Sequence, residues 1–256
     1  MDKKEEYKLL IDTATLAGKL MLENGAEIYR VEDTIRRMLA VSGLKTGESY
    51  VTNTGIMVNL DDPSVDSMTV IRRISSRNMD LNMISLVNNI SREFCAGNMD
   101  LKEAFHELKH LDGRQYSKLM IDLSIVGVAG FFALVFGGSF RDAITAGVDG
   151  ALIALMLRFS KRLRLNGFIE TVLCSVVLAA DAVLMAETFG HISSDKVIIS
   201  AIMPIVPGAA FTTAIRDILQ GDYVAGGAKA LEAFVKVAAI VVGVGLGMIC
   251  TGGVRL

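Results

Sequence analysis

LMIDLSIVGVAGFFALVFGGSF, residues 119–140, is the stretch that decides the fold. It carries one charged side chain, Asp122. At 1.5 Å rise per residue it is long enough as a helix to cross about 30 Å of hydrocarbon. Four more apolar segments follow, at 142–159, 169–189, 197–219 and 231–250, the first of these four being the shortest. The composition agrees: 52% of the 256 residues are hydrophobic, with no Trp, and the mean hydropathy is +0.46. A soluble core that apolar would need far more polar surface around it, so the excess must face lipid. The sequence therefore predicts an α-helical membrane protein with a five-span bundle over 116–256.

Working back from residue 119, the chain is polar and its pattern is that of a small α+β domain over 1–115. Leu9, Leu10, Leu16, Ala17, Leu20 and Met21 recur at helical spacing over 5–23, and Asn24-Gly25 ends that helix. A second helix is predicted over 28–41. Residues 49–60, rich in Val, Thr, Tyr and Ile, read as a strand, Asp61-Asp62-Pro63 as a turn, and 67–74 as the returning strand. Helices follow at 81–94 and 101–111, with Asp80 and Asp100 at N-cap positions. The N-terminus, MDKKEE, is charged and has no signal-type apolar core, which keeps this domain in the cytoplasm.

Basic residues set the orientation. Arg158, Lys161, Arg162 and Arg164 follow the second span, and Arg216 and Lys229 follow the fourth, against Arg141, Lys196 and Arg255 on the other side. The positive-inside rule then places the N-terminus in the cytoplasm and the C-terminus outside the cell membrane. A net charge of -2 gives no case for a nucleic-acid partner. Cys95, Cys174 and Cys250 form no CxxC pair and read as structural thiols.

Intramembrane acids are costly and mark pathways. Asp149 and Asp181 fall mid-span and are the candidate proton-coupling groups, with a neutral packing carboxyl as the alternative. The run Met203-Pro204-Ile205-Val206-Pro207-Gly208 predicts a broken helix, because each proline removes a donor and crowds the preceding turn. A second half-helix starting at Pro207-Gly208 offers free N–H groups and a partial positive charge to a carboxylate; a kink that only shapes the bundle is the alternative. Thr212 and Thr213 add hydroxyls, and Lys236 is a cation placed to meet an acid or an anionic ligand. Gly243 and Gly247 form a GxxxG pair suited to close helix contact, within the subunit, with a partner or in a homo-oligomer.

His106-Glu107-Leu108-Lys109-His110 matches the HExxH zinc signature. Its histidines lie off the apolar stripe of Leu101, Ala104, Phe105, Leu108 and Leu111, on a solvated face, so no metal and no cofactor is predicted. Arg72, Arg73 and Arg77 read as a solvated edge or an anion patch.

Leu22-Glu23-Asn24-Gly25-Ala26-Glu27 with Arg30-Val31-Glu32-Asp33 resembles the N-terminal signature of the bacterial threonine/serine exporter family. So does Val206-Pro207-Gly208 continuing through Ala214, Asp217, Gly221, Asp222, Gly226 and Ala228, and the Arg77-Asn78 and Asn82-Met83 region is similar too. Thr213 stands before Ala214 where the family pattern has Asn. The resemblance implies no role for the motif residues Glu23, Asn24, Gly25, Glu27, Arg30, Glu32, Asp33 and Asp217. Full-length members join this unit to a second membrane unit, so the chain resembles the larger subunit of the two-component type similar to the succinate exporter. That implies a second small transmembrane subunit and ion-driven export of serine/threonine or a C4-dicarboxylate such as succinate. Two other readings stand beside it: a membrane-anchored hydrolase or metalloenzyme acting through the N-terminal domain, and an assembly or regulatory membrane subunit.

Overall fold

The computed structural model describes residues 3–44, 46–62, 65–75, 77–113 and 116–252, which form two compact units. The first contains α1 (Lys3–Glu23), α2 (Ile28–Ala40), β1 (Thr46–Thr52), β2 (Gly55–Asp62), β3 (Val65–Arg73), α3 (Leu81–Cys95) and α4 (Leu101–His110). Residues 209–231, counted above with the membrane half, pack within this unit. They supply all but the first residue of α9 (Gly208–Leu219) and the start of α10 (Tyr223–Cys250). Ile11, Met21, Leu22, Ile35, Met38, Ile56, Leu60 and Leu108 are fully enclosed in one core, which Ala225 also joins.

Local chemistry explains the element ends. Gly25 takes φ +90° after α1, and Ala26 N–H returns to Met21 O at 3.1 Å, satisfying a carbonyl the helix leaves open. A Cβ at Gly25 would also lie 2.8 Å from Met79 Sδ. Asp80 accepts from Met83 N at 3.0 Å and Asp100 from Glu103 N at 2.7 Å, so both expected N-caps are formed.

The sheet departs from expectation. The single strand expected over 49–60 is two strands, turning at Asn53-Thr54, with Thr52 paired to Gly55. The sheet is antiparallel in the order β1-β2-β3. Asn-Thr lacks the Asn-Gly signature of a two-residue hairpin, so Val, Thr and Ile on both sides read as one run. Asp61 and Asp62, expected in a turn, end β2. Pro63, the third residue of that turn, lies outside the described residues.

The second unit contains α5 (Lys118–Val135), α6 (Phe140–Leu163), α7 (Gly167–Phe189), α8 (Ser194–Ala201) and α10 from residue 232 onward. Four helices, α5, α6, α7 and α10, are long and apolar enough to cross a membrane. Only 11% of the most apolar window of α5 and 39% of that of α6 is buried within the chain, so large apolar faces need lipid or another protein. The fourth expected span, 197–219, is not one helix. α8 stops at Ala201, turns occupy 202–206, and α9 begins at Gly208. Pro204 and Pro207 account for this, since neither can donate to a continuing helical ladder.

Small residues set the helix contacts. A Cβ on Gly150 of α6 would stand 2.9 Å from Val126 Cα of α5. Cβ atoms on Gly243 and Gly247 would each come within 2.6 Å of an α7 carbonyl, Val172 O and Val176 O. The GxxxG pair thus seats α10 on α7 inside the subunit.

Candidate functional site

Two constellations of polar groups stand out, one in each unit. In the first unit, the chain leaving α1 enters α2 through Ala26-Glu27-Ile28, and residues from α9 and α10 close over that entry. Asp217 on α9 is wholly buried; its Oδ1 accepts from Ile28 N at 3.0 Å and its Oδ2 from Lys229 Nζ at 2.7 Å. Lys229, on α10 and nearly buried, also donates to Ala26 O at 3.2 Å. Asp217 therefore caps α2 from 189 residues away, placing a negative charge at a helix start where free N–H groups and the dipole favour it.

Glu27, also buried, is held from both sides: Arg216 at 2.8 Å on Oε1 and Arg30 at 3.2 Å on Oε2. Burial pushes its carboxyl up, but these guanidinium groups and its own backbone N–H outweigh that and hold it below the usual glutamate value. Glu32 goes the other way. Burial raises it, aided by the nearby negative charge of Asp222, against the hydrogen bond it accepts from Val51 N at 3.0 Å. Asp222 is raised by burial and by Asp217, with Lys229 opposing. Asn53, at the hairpin turn, donates to Ala225 O at 2.6 Å, while its buried Oδ1 has no hydrogen-bond partner among the described residues.

The two stretches that carry the resemblance thus meet. Glu27, Arg30, Glu32 and Asp217 converge, joined by Arg216, Asp222 and Lys229. Glu23, Asn24 and Gly25 shape the turn before them: Glu23 O accepts from Asn78 N at 2.7 Å and Asn24 O from Asp80 N at 3.1 Å. Asp33 points elsewhere, pairing with Arg36 at 2.9 Å and Arg37 at 2.7 Å on the outer face of α2. Sequence reasoning missed the part played by Arg216 and Lys229, which read as loop cations. The buried partners of Lys229 lie 12 and 203 residues away, so no local pattern announces them.

In the second unit, Asp149 on α6 and Asp181 on α7 face each other closely enough to interact. Asp149 is wholly buried, and neither of its oxygens has a hydrogen-bond partner among the described residues; the same holds for Asp181 Oδ2. Such groups are expensive to leave unmet in an apolar surrounding.

The expected carboxylate-binding residues are distributed. Pro207 is buried and Gly208 exposed at the start of α9. Thr212 and Thr213 belong to the first unit, Thr213 donating to Ala210 O at 3.1 Å, and Lys236 is half-buried on α10 in the second. His106 and His110 are exposed on the outer face of α4, their ring centroids 4.3 Å apart, with Nδ1 of His110 2.8 Å from His106 O. Arg72 pairs with Asp12 at 2.9 Å, so that edge is partly neutralised within the domain.

No curated protein and no solved structure matches the chain. A match to a protein family runs from residue 12 to residue 250, and that family is described as "Putative threonine/serine exporter". The match takes in both polar constellations, the four apolar helices of this multi-pass membrane protein and the broken segment between α8 and α9. The chain belongs to the threonine/serine exporter family.

Proposed function

We propose that the chain is a subunit of a proton-coupled secondary exporter for a small carboxylate-bearing metabolite, serine/threonine or a C4-dicarboxylate such as succinate. The observation that carries this is the Asp149–Asp181 pair, two facing carboxyls on neighbouring apolar helices, with oxygens that lack protein partners. Two carboxyls so placed can take up and release a proton between them, which is the minimum a proton-coupled step needs. The substrate carboxylate is received at the broken-helix start, Pro207-Gly208, at the positive end of the α9 dipole.

The proposed topology has five crossings, with the N-terminus in the cytoplasm and the C-terminus outside. α5, α6 and α7 make the first three crossings. α8 with the turns at 202–206 makes the return, and α10 makes the fifth crossing. The basic cluster after α6 supports a cytoplasmic N-terminus. A second small membrane subunit completes the transporter. An apolar groove of about 510 Å³ between α5 and α6, lined by Gly127, Gly130, Phe131 and Gly147, supports such a partner.

Counterflow in proteoliposomes, with candidate partner and cargo supplied, tests the reading. Asp149→Asn and Asp181→Asn are each expected to lose the dependence of transport on the pH gradient. Normal pH dependence in both variants removes the proton role.

A further inference from the structure

We infer that the crevice between the start of α5 and the end of α6 binds an anionic phospholipid, its charged headgroup among Lys118, Arg158, Lys161 and Arg162 and an acyl chain along Leu155, Met156 and Phe159. The inference rests on the membrane reading of the second unit and is independent of the cargo.

Three observations carry it. The first is the gathering of exposed like charge around one crevice. A pocket of about 460 Å³ is lined by those four cations, with Ile121 and a single acid, Asp122. Asp122 is paired with Arg158, while Lys118, Lys161 and Arg162 have no ion-pair partner among the described residues. Like charges gathered in one crevice repel unless an anion joins them. The second is the position of Lys118, the first residue of α5, where the helix dipole is positive and no acid occupies the first turn. A cation there is opposed by its own helix, and an anion at the same place relieves both. The third is amphipathic continuity. An adjoining groove of about 400 Å³ shares Arg158 and Arg162 and then runs along Leu155, Met156 and Phe159. Leu155 and Phe159 are more than half exposed. The positive-inside rule explains basic residues at this end of any span. It does not explain why they line one crevice that opens onto an apolar groove, which is the shape of a headgroup followed by a chain. A soluble phosphate would use the first pocket and leave the second empty; a phospholipid uses both.

The test uses the full chain purified in detergent, with bound lipid counted by native mass spectrometry. The probes are phosphatidylglycerol and phosphatidylcholine with the same acyl chains. A juxtamembrane cation contributes roughly fivefold to affinity for an anionic lipid surface. Phosphatidylglycerol is therefore expected to be retained at least roughly tenfold better than phosphatidylcholine. Lys161→Gln with Arg162→Gln is expected to abolish most of that preference. Inorganic phosphate at the lipid concentration is expected not to displace it. Equal retention of the two lipids, or an unchanged preference in the double variant, overturns the site. Displacement by inorganic phosphate also overturns it, reassigning the crevice to a soluble anion. Circular dichroism checks folding. If the double variant misfolds, Arg162→Gln alone decides, with about a fivefold loss expected and no loss refuting the proposal.

Discussion

Replacing Lys229 with alanine tests whether the first unit depends on residues 209–231. The variant leaves Asp217, which has no solvent exposure, with one remaining donor, Ile28 N–H at 3.0 Å, and removes the donor to Ala26 O. Breaking a buried pair from one side costs about 3–5 kcal/mol, because the surviving charge stays buried and uncompensated. For a chain of this size, each kcal/mol moves the unfolding midpoint by roughly 2–4 °C, so a fall on the order of 10 °C is expected. Asp217→Asn alone should cost less, since an amide oxygen can still accept from Ile28 N–H, but it strands the Lys229 ammonium. The double variant Asp217→Asn/Lys229→Met keeps the helix cap and removes both charges, and Lys229→Met alone closes the cycle with Asp217→Asn. It should lie within about 1.5 kcal/mol of the wild type, giving a coupling energy of roughly 2 kcal/mol or more. Thermal unfolding by circular dichroism in detergent gives the stabilities, and hydrogen exchange over residues 24–32 localises the loss. A Lys229→Ala variant within about 1 kcal/mol of the wild type, or additive single effects, would show that the pair is not the fastening described here.

Two further outcomes follow from the same geometry. Gly243→Ile should push α10 off α7, since even a Cβ there meets Val172 O at 2.6 Å; a loss of about 1–3 kcal/mol is expected by thermal unfolding, and wild-type stability would place the α10 contact elsewhere. Glu27 has a folded value below its unfolded 4.5, so its contribution to stability is present above that value and lost as pH falls through the folded one. Titrating stability from pH 7 to pH 3 should therefore show a smaller acid loss in Glu27→Gln than in the wild type, and parallel curves would refute the assignment.

Much of this architecture was legible in the sequence. Helical spacing located α1 to α4 with ends within two residues, because their apolar faces all serve one core and the caps of α3 and α4 are local. The broken fourth segment was legible from Pro204 and Pro207, whose effect on a helix needs no tertiary context. The hairpin at Asn53-Thr54 was not, since its turn is specified by Asn53 gripping Ala225 O, 172 residues along. The approach of Asp217 to the start of α2 was not legible: motif membership named Glu27 and Asp217 without bringing them together. Lys229 was the least legible residue: composition treats every lysine near a span as a water-facing charge, and only packing reveals one that is buried.

The discontinuity of the first unit bears on how the protein is made. A ribosome completes residues 3–113 before Asp217 and Lys229 exist, so the start of α2 waits uncapped and Asn53 waits without Ala225 O. At roughly 5–20 residues per second that interval lasts on the order of ten seconds, during which α5 to α8 are being synthesised. The nascent domain matures only after α5 to α8 have been synthesised. A fragment ending at residue 115 would be held permanently at that unfinished stage.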